Sequence, residues 1–172
     1  MLNTKLISKI FGSLLLIEAL LMSCSLGVAL YYGGSDVMPF TWSVVVLIAA
    51  GVAFRLLGLK ASNALSRRDA YFVVTTVWVL FTIFGMMPFL IGGYLHSVTD
   101  AFFETISGFT TTGATIIDYP ERLPRGLLFW RSITQWIGGL GIVFFTIAIL
   151  PSFVGGSTRV FAAEATGPIV TK

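Results

Sequence analysis

Nine residues, Ser107-Gly108-Phe109-Thr110-Thr111-Thr112-Gly113-Ala114-Thr115, constrain this chain more than any other stretch. Apart from Phe109 they are small hydroxyl residues, glycines and an alanine, yet they lie between two long apolar runs, 70–93 and 126–150. A short amphipathic segment, 97–106, leads directly into them. Irregular backbone at membrane depth is tolerated only where it is buried in protein or lines a watery cavity. An apolar span, a half-length helix, a Thr/Gly loop and a second apolar span form the layout of a pore unit, in which loop carbonyls replace the water around an ion.

The residues of this unit have readable chemistry. Ser97, with Asp100 three positions on, is a capping-box-like helix start, with acid where the helix dipole favours it. From Ser97 to Ser107 is about 11 residues, or roughly 16 Å of helix, near half a hydrocarbon core. Gly108 is expected to end that helix in the left-handed conformation. The negative end of the helix would then face the loop and favour a cation. Thr110, Thr111 and Thr112 offer hard oxygen ligands, and Gly113 permits backbone angles that other residues resist. No carboxylate lies within 107–117, so a weakly held monovalent cation suits the loop better than a divalent one. By composition alone the loop can also be a polar turn between two membrane helices.

Hydrophobic residues make up 56% of the 172 and charged residues 11%. With a mean hydropathy of +0.91, the chain is a polytopic membrane protein rather than a soluble domain. A single Cys24 excludes a disulfide framework within the chain. The basic residues sit in short loops between spans, which excludes a nucleic-acid patch. The sequence has one histidine, His96, read as a surface residue, and no HExxH or GxSxG, which argues against an intramembrane enzyme. Lys5 and Lys9 precede a first span, 10–30, whose length and internal Glu18 favour a membrane helix over a cleaved signal. Glu18 is expected to face protein and to make a structural hydrogen bond with a neighbouring helix. A second span covers 40–59, and Pro88 is expected to kink the third, 70–93.

In the last span Arg131 and Gln135 are four apart and share a face. Bracing of the loop is preferred over ion contact for Arg131, because a fixed positive charge on an ion path repels a cation. Gly138, Gly139 and Gly141 offer a small-residue face for close helix approach. Lys5, Lys9, Arg55, Lys60, Arg67, Arg68, Arg159 and Lys172 fall on one side of the spans, and only Arg122 and Arg125 lie in loops on the other. That bias puts both termini in the cytoplasm and the pore loop outside.

SGFTTTGAT, followed by Phe129-Trp130-Arg131-Ser132-Ile133-Thr134-Gln135-Trp136-Ile137-Gly138-Gly139-Leu140-Gly141-Ile142, resembles the first pore repeat of the Trk/Ktr/HKT-type potassium uptake family. Glu164-Ala165-Thr166-Gly167-Pro168 resembles the segment that closes that repeat. The likeness covers essentially the whole chain, with two extra leading helices as in the TrkH branch. It implies an all-α integral membrane fold of four transmembrane helices plus one re-entrant pore helix and filter loop. Residues 1–69 would hold the leading helices and a basic loop. Residues 70–168 would hold the repeat: outer helix 70–93, pore helix 97–107, filter loop 108–117 and inner helix 126–150. Residues 169–172 would begin the connection to a second repeat.

The resemblance further implies potassium uptake across the cytoplasmic (inner) membrane, with no bound cofactor and potassium as substrate. The filter would be Thr110, Thr111, Thr112, Gly113 and Ala114, with potassium at Thr111, Thr112 and Gly113. Arg131, Gln135 and Glu104 would support it. A carbonyl filter needs a ring of such loops, and one is found here, so the chain is expected to supply one quarter of a pore. A non-conducting membrane scaffold and a short chain that tetramerises stay open as alternatives. The TVGYG potassium-channel filter has two glycines where this loop has one, which suggests looser selectivity. Implied partners are membrane lipid, the remaining repeats, a second copy of the full-length protein and a TrkA-like cytoplasmic nucleotide-binding regulator.

Overall fold

The computed structural model describes residues 2–59 and 66–141, and all regular structure among them is helical. Helix α1 (Thr4–Tyr32) ends at Gly33, whose φ of 60° closes the turn into α2 (Val37–Leu57). The two helices pack closely because Gly12 and Gly51 lack side chains. A Cβ on Gly12 would lie 2.6 Å from the Gly51 carbonyl oxygen. In lipid such approach, rather than hydrophobic exclusion, holds helices together.

Helix α3 (Arg67–Gly85) starts from a capping box in which the Ser66 hydroxyl accepts the Asp69 N–H and the Asp69 carboxylate accepts the Ser66 N–H. The other Asp69 oxygen accepts the Asn3 N–H at 3.0 Å, which ties the start of α1 to the start of α3. Pro88, without an N–H, interrupts the helix at Met86, and a short α4 (Met87–Ile91) continues beyond the break. The amphipathic α5 (Val98–Phe109), a 3₁₀ turn (Pro120–Arg122) and α6, helical over 125–141, complete the described chain.

Three helical stretches, Thr4–Tyr32, Val37–Leu57 and Arg68–Ile91, are long and apolar enough to cross a membrane. The fourth expected span is described only as far as residue 141. The 60–65 loop, the rest of the inner helix to 150, the 164–168 segment, residues 169–172, Arg159 and Lys172 lie outside the described residues. A Cβ on Gly58 would touch Lys9 and the Lys5 carbonyl, so the end of α2 lies beside the start of α1. Lys5, Lys9, Arg55 and Arg68 therefore belong to helix ends gathered at one side of the bundle. The α1–α2 turn and the start of α6 meet at the other.

Within a largely aliphatic core an aromatic cluster packs at the end of α5. Phe109 and Trp130 are fully buried, with ring centroids 6.3 Å apart and an edge-to-face tilt, and Phe109 also packs on Phe81. The Trp130 indole N–H donates to the Gly85 carbonyl at 2.9 Å, which satisfies its polar edge and fixes α6 against α3.

Glu18 faces protein as expected and is wholly buried. The expected hydrogen bond is not found: neither carboxyl oxygen has a partner among the described residues. Replacing a buried polar group that lacks a partner by an apolar one of similar shape is nearly neutral or stabilising. Glu18→Met in the full-length protein is therefore expected to keep or raise its melting temperature in detergent. A fall of several degrees would assign the carboxyl a partner beyond the described residues.

Candidate functional site

The loop after α5 begins with a helix cap made by an unusual residue. The Thr111 N–H donates to the Gly108 carbonyl and the Thr112 N–H to the Ser107 carbonyl, the paired bonds of a Schellman motif. Such caps require a left-handed residue, normally glycine, and here it is Thr111, with φ 57°. A β-branched residue in that region is a conformational outlier, and backbone strain of this kind collects at functional sites. Gly113, at φ 73°, is left-handed as well.

Gly108 does not end the helix as expected. It lies within α5 and is buried against Thr134 of α6, where a Cβ would collide with the Thr134 hydroxyl. Phe109, anchored in the aromatic cluster, carries the helix one residue further, so the irregular loop begins at Thr110. Its hydroxyl donates back to the Ile106 carbonyl at 2.8 Å and pairs with the Thr112 hydroxyl at the same distance. Ser97 caps the other end of α5 as expected, accepting the Asp100 N–H.

Among the described residues the carbonyl oxygens of 110–113 accept no hydrogen bond, and these residues are exposed. The Ala114 carbonyl differs, since the Ser107 hydroxyl donates to it at 2.6 Å. The chain therefore presents four successive free carbonyls and then fastens itself back to α5.

A brace lies directly behind the loop. Arg131 reaches Glu104 at 2.7 Å and also donates to the Thr115 hydroxyl at 3.2 Å. One Glu104 oxygen accepts both the Thr115 hydroxyl at 2.9 Å and the Ile116 N–H at 3.0 Å. Glu104 comes from α5, Arg131 from α6 and Thr115 from the loop, so one ionic knot joins all three. Glu104 is 3% exposed and Arg131 21%. At 2.7 Å the opposite charges largely cancel, and the guanidinium presents little net field to a cation in the loop. The space enclosed between loop, α5 and α6 is only about 10 Å³, so the knot is close packed.

Gln135 is brought to the same face as Arg131 but is exposed and makes no hydrogen bond among the described residues. Gly138 sits against the Phe109 backbone, and Gly141 against Trp78, where a Cβ would lie 2.9 Å from the ring. Among the described residues nothing lies within 4 Å of a Cβ on Gly139, so there the close-packed glycines of this face are Gly138 and Gly141. Sequence reasoning missed Thr115 and the Ile116 N–H as brace partners. No spacing rule links them to Glu104; the only signal was one more hydroxyl residue, Thr115, two positions past Gly113.

A family model described as TrkH, cation transport protein, matches residues 37–172. A Trk system potassium uptake protein TrkH from Vibrio parahaemolyticus is 37% identical over 164 residues, covering 95% of this chain and 34% of that protein. The Trk system potassium uptake protein TrkG of Escherichia coli K12 is 32% identical over 167 residues, covering 96% of this chain and 34% of its own length. The crystal structure of the potassium transporter TrkH from Vibrio parahaemolyticus superposes with a TM-score of 0.80 at 38% identity, over 86% of this chain and 32% of that one. The chain thus spans about one third of the length of the relatives it matches.

Proposed function

This chain belongs to the TrkH family of cation transport proteins, and from that premise we propose that it supplies one quarter of a carbonyl-lined filter for potassium uptake. The observation that carries this reading is the run of four free, exposed carbonyls at 110–113, held by left-handed backbone at Thr111 and Gly113. Oxygen dipoles without internal partners are what a dehydrated monovalent cation requires. Thr111, Thr112 and Gly113 contribute the central ligands, with Thr110 at one margin and Ala114 at the other, where the Ser107 hydroxyl takes one of the two carbonyl lone pairs. Arg131 and Glu104 hold the loop, and Gln135 lies one turn further along the same face of α6. No step of this activity makes or breaks a covalent bond, so the reading is that of a transporter and not an enzyme.

Transport runs across the cytoplasmic membrane, with α5 entering it from outside as a re-entrant pore helix and both termini in the cytoplasm. The gathering of Lys5, Lys9, Arg55 and Arg68 at one side of the bundle supports that orientation. Three further units of the same design complete the ring. In the full-length protein, a second copy and a TrkA-like nucleotide-binding subunit are the partners this family reading implies.

The test has two arms. The full-length gene is expected to restore growth of a potassium-uptake-deficient host at low potassium. The 172-residue chain reconstituted alone is expected to give no rubidium flux in liposomes. Failure of the first arm refutes the uptake reading. Flux from the isolated chain, with crosslinking to a tetramer, replaces the quarter-pore reading with a short chain that forms the pore by itself.

A further inference from the structure

We infer that Asp36, in the turn between the two leading helices, is a positioning residue for the filter, because it fixes the register of α6 and through α6 the Arg131–Glu104–Thr115 brace. This rests on the potassium uptake reading above. Asp36 is wholly buried, and one of its carboxylate oxygens accepts the Leu127 N–H at 3.0 Å across 91 positions of sequence. Leu127 lies in the first turn of α6, where N–H groups have no partner within the helix and the dipole is positive.

The bond is not an incidental cap. Asp36 occupies the N-cap position of α2, where an aspartate normally caps its own helix. Its side chain makes no hydrogen bond to α2 and is given to α6 instead. Gly34 and Gly126 flank the carboxylate from the two sides, and a Cβ on either would collide with it.

From Leu127 onward the same helix delivers Trp130 to the Gly85 carbonyl, Arg131 to Glu104 and Gly138 to the Phe109 backbone. A slip of one residue along α6 would move each of these by about 1.5 Å and about 100° around the axis. That displacement is enough to part Arg131 from Glu104.

The test uses the full-length protein, rubidium uptake and its competition by sodium, at matched amounts in the membrane. Asp36→Ser leaves α2 a good N-cap residue but is too short to reach Leu127. It is expected to increase sodium competition about fivefold, the scale of one lost cap. Asp36→Asn keeps an acceptor for the Leu127 N–H and is expected to stay near wild type. Combining Asp36→Ser with Arg131→Gln is expected to add nothing to Arg131→Gln alone, since both release the same loop. A wild-type ratio in Asp36→Ser, or equal impairment in Ser and Asn, overturns the inference. Should Gly113→Ser shift the ratio while Asp36→Ser does not, this inference falls and the uptake reading stands. A wild type that takes up no rubidium overturns the uptake reading itself.

Discussion

Arg131→Gln in the full-length protein is expected to lower the melting temperature and transport together. The change strands the Glu104 carboxylate, which is 3% exposed, with only the Thr115 hydroxyl and the Ile116 N–H left as donors. Removing one partner of a buried ion pair costs about 3–5 kcal/mol, because the remaining charge stays desolvated. The partial exposure of Arg131 and the two surviving donors place this case at about 3 kcal/mol, the low end of that range. Arg131→Lys keeps the charge, but its ammonium ends one atom short of the Nη2 that makes both contacts, so an intermediate loss is expected. In Glu104→Gln with Arg131→Gln the stranded charge is gone, and the double variant is expected to be more stable than the sum of the singles predicts. Thermal unfolding and rubidium uptake on the same preparations check all of this. If transport fell in Arg131→Gln while the melting temperature held, Arg131 would act on the ion directly and the brace account would be wrong.

The parts of this site legible in the sequence are those set by local chemistry. Ser97 and Asp100 mark the start of α5 because capping depends on residues three apart. Pro88 marks the break between α3 and α4 because it lacks an N–H. Arg131 was identifiable as an ion-pair partner because an unpaired cation beside a cation-binding loop, which the proposed function requires, is electrostatically disfavoured. What could not be read depends on distant partners. Asp36, in Gly33-Gly34-Ser35-Asp36, looks like an ordinary turn acid, and only the fold brings the Leu127 N–H to it. Gly108 looks like a helix terminator until Thr134 is packed against it. Once the close approach of α6 claims Gly108, the left-handed cap position falls to Thr111, against its conformational preference. Tertiary packing overrode local propensity at that point, next to the carbonyls that the proposed function uses.

The contrast between Thr111 and Gly113 sets the expectation for Gly113→Ser. Both residues are left-handed, and Thr111 shows that a side chain can be held there. Thr111 lies inside the Schellman pair, with its own N–H and that of Thr112 bonded back to α5 at 2.9 and 3.0 Å. Among the described residues Gly113 is held by one longer bond, 3.3 Å, from its N–H to the Ser107 carbonyl. A side chain at Gly113 meets no steric obstacle there, because none of the described residues lies within 4 Å of its Cβ position. The substitution therefore acts through the backbone, at a strain of about 1–3 kcal/mol. One long hydrogen bond, worth about 1 kcal/mol, does not hold the left-handed angle against that strain. The carbonyl is then expected to rotate away from the ion. Since 1.4 kcal/mol is about a factor of ten in binding, losing one ligand is expected to raise sodium competition for rubidium uptake about tenfold and to weaken apparent rubidium affinity. Protein levels in the membrane should be unchanged, because the packed knot at Glu104 and Arg131 is untouched. Gly113→Ala should match Gly113→Ser, which separates backbone strain from any effect of an added hydroxyl. An unchanged sodium-to-rubidium ratio in both variants, at matched protein amounts, would make Gly113 an ordinary loop glycine and remove it from the filter.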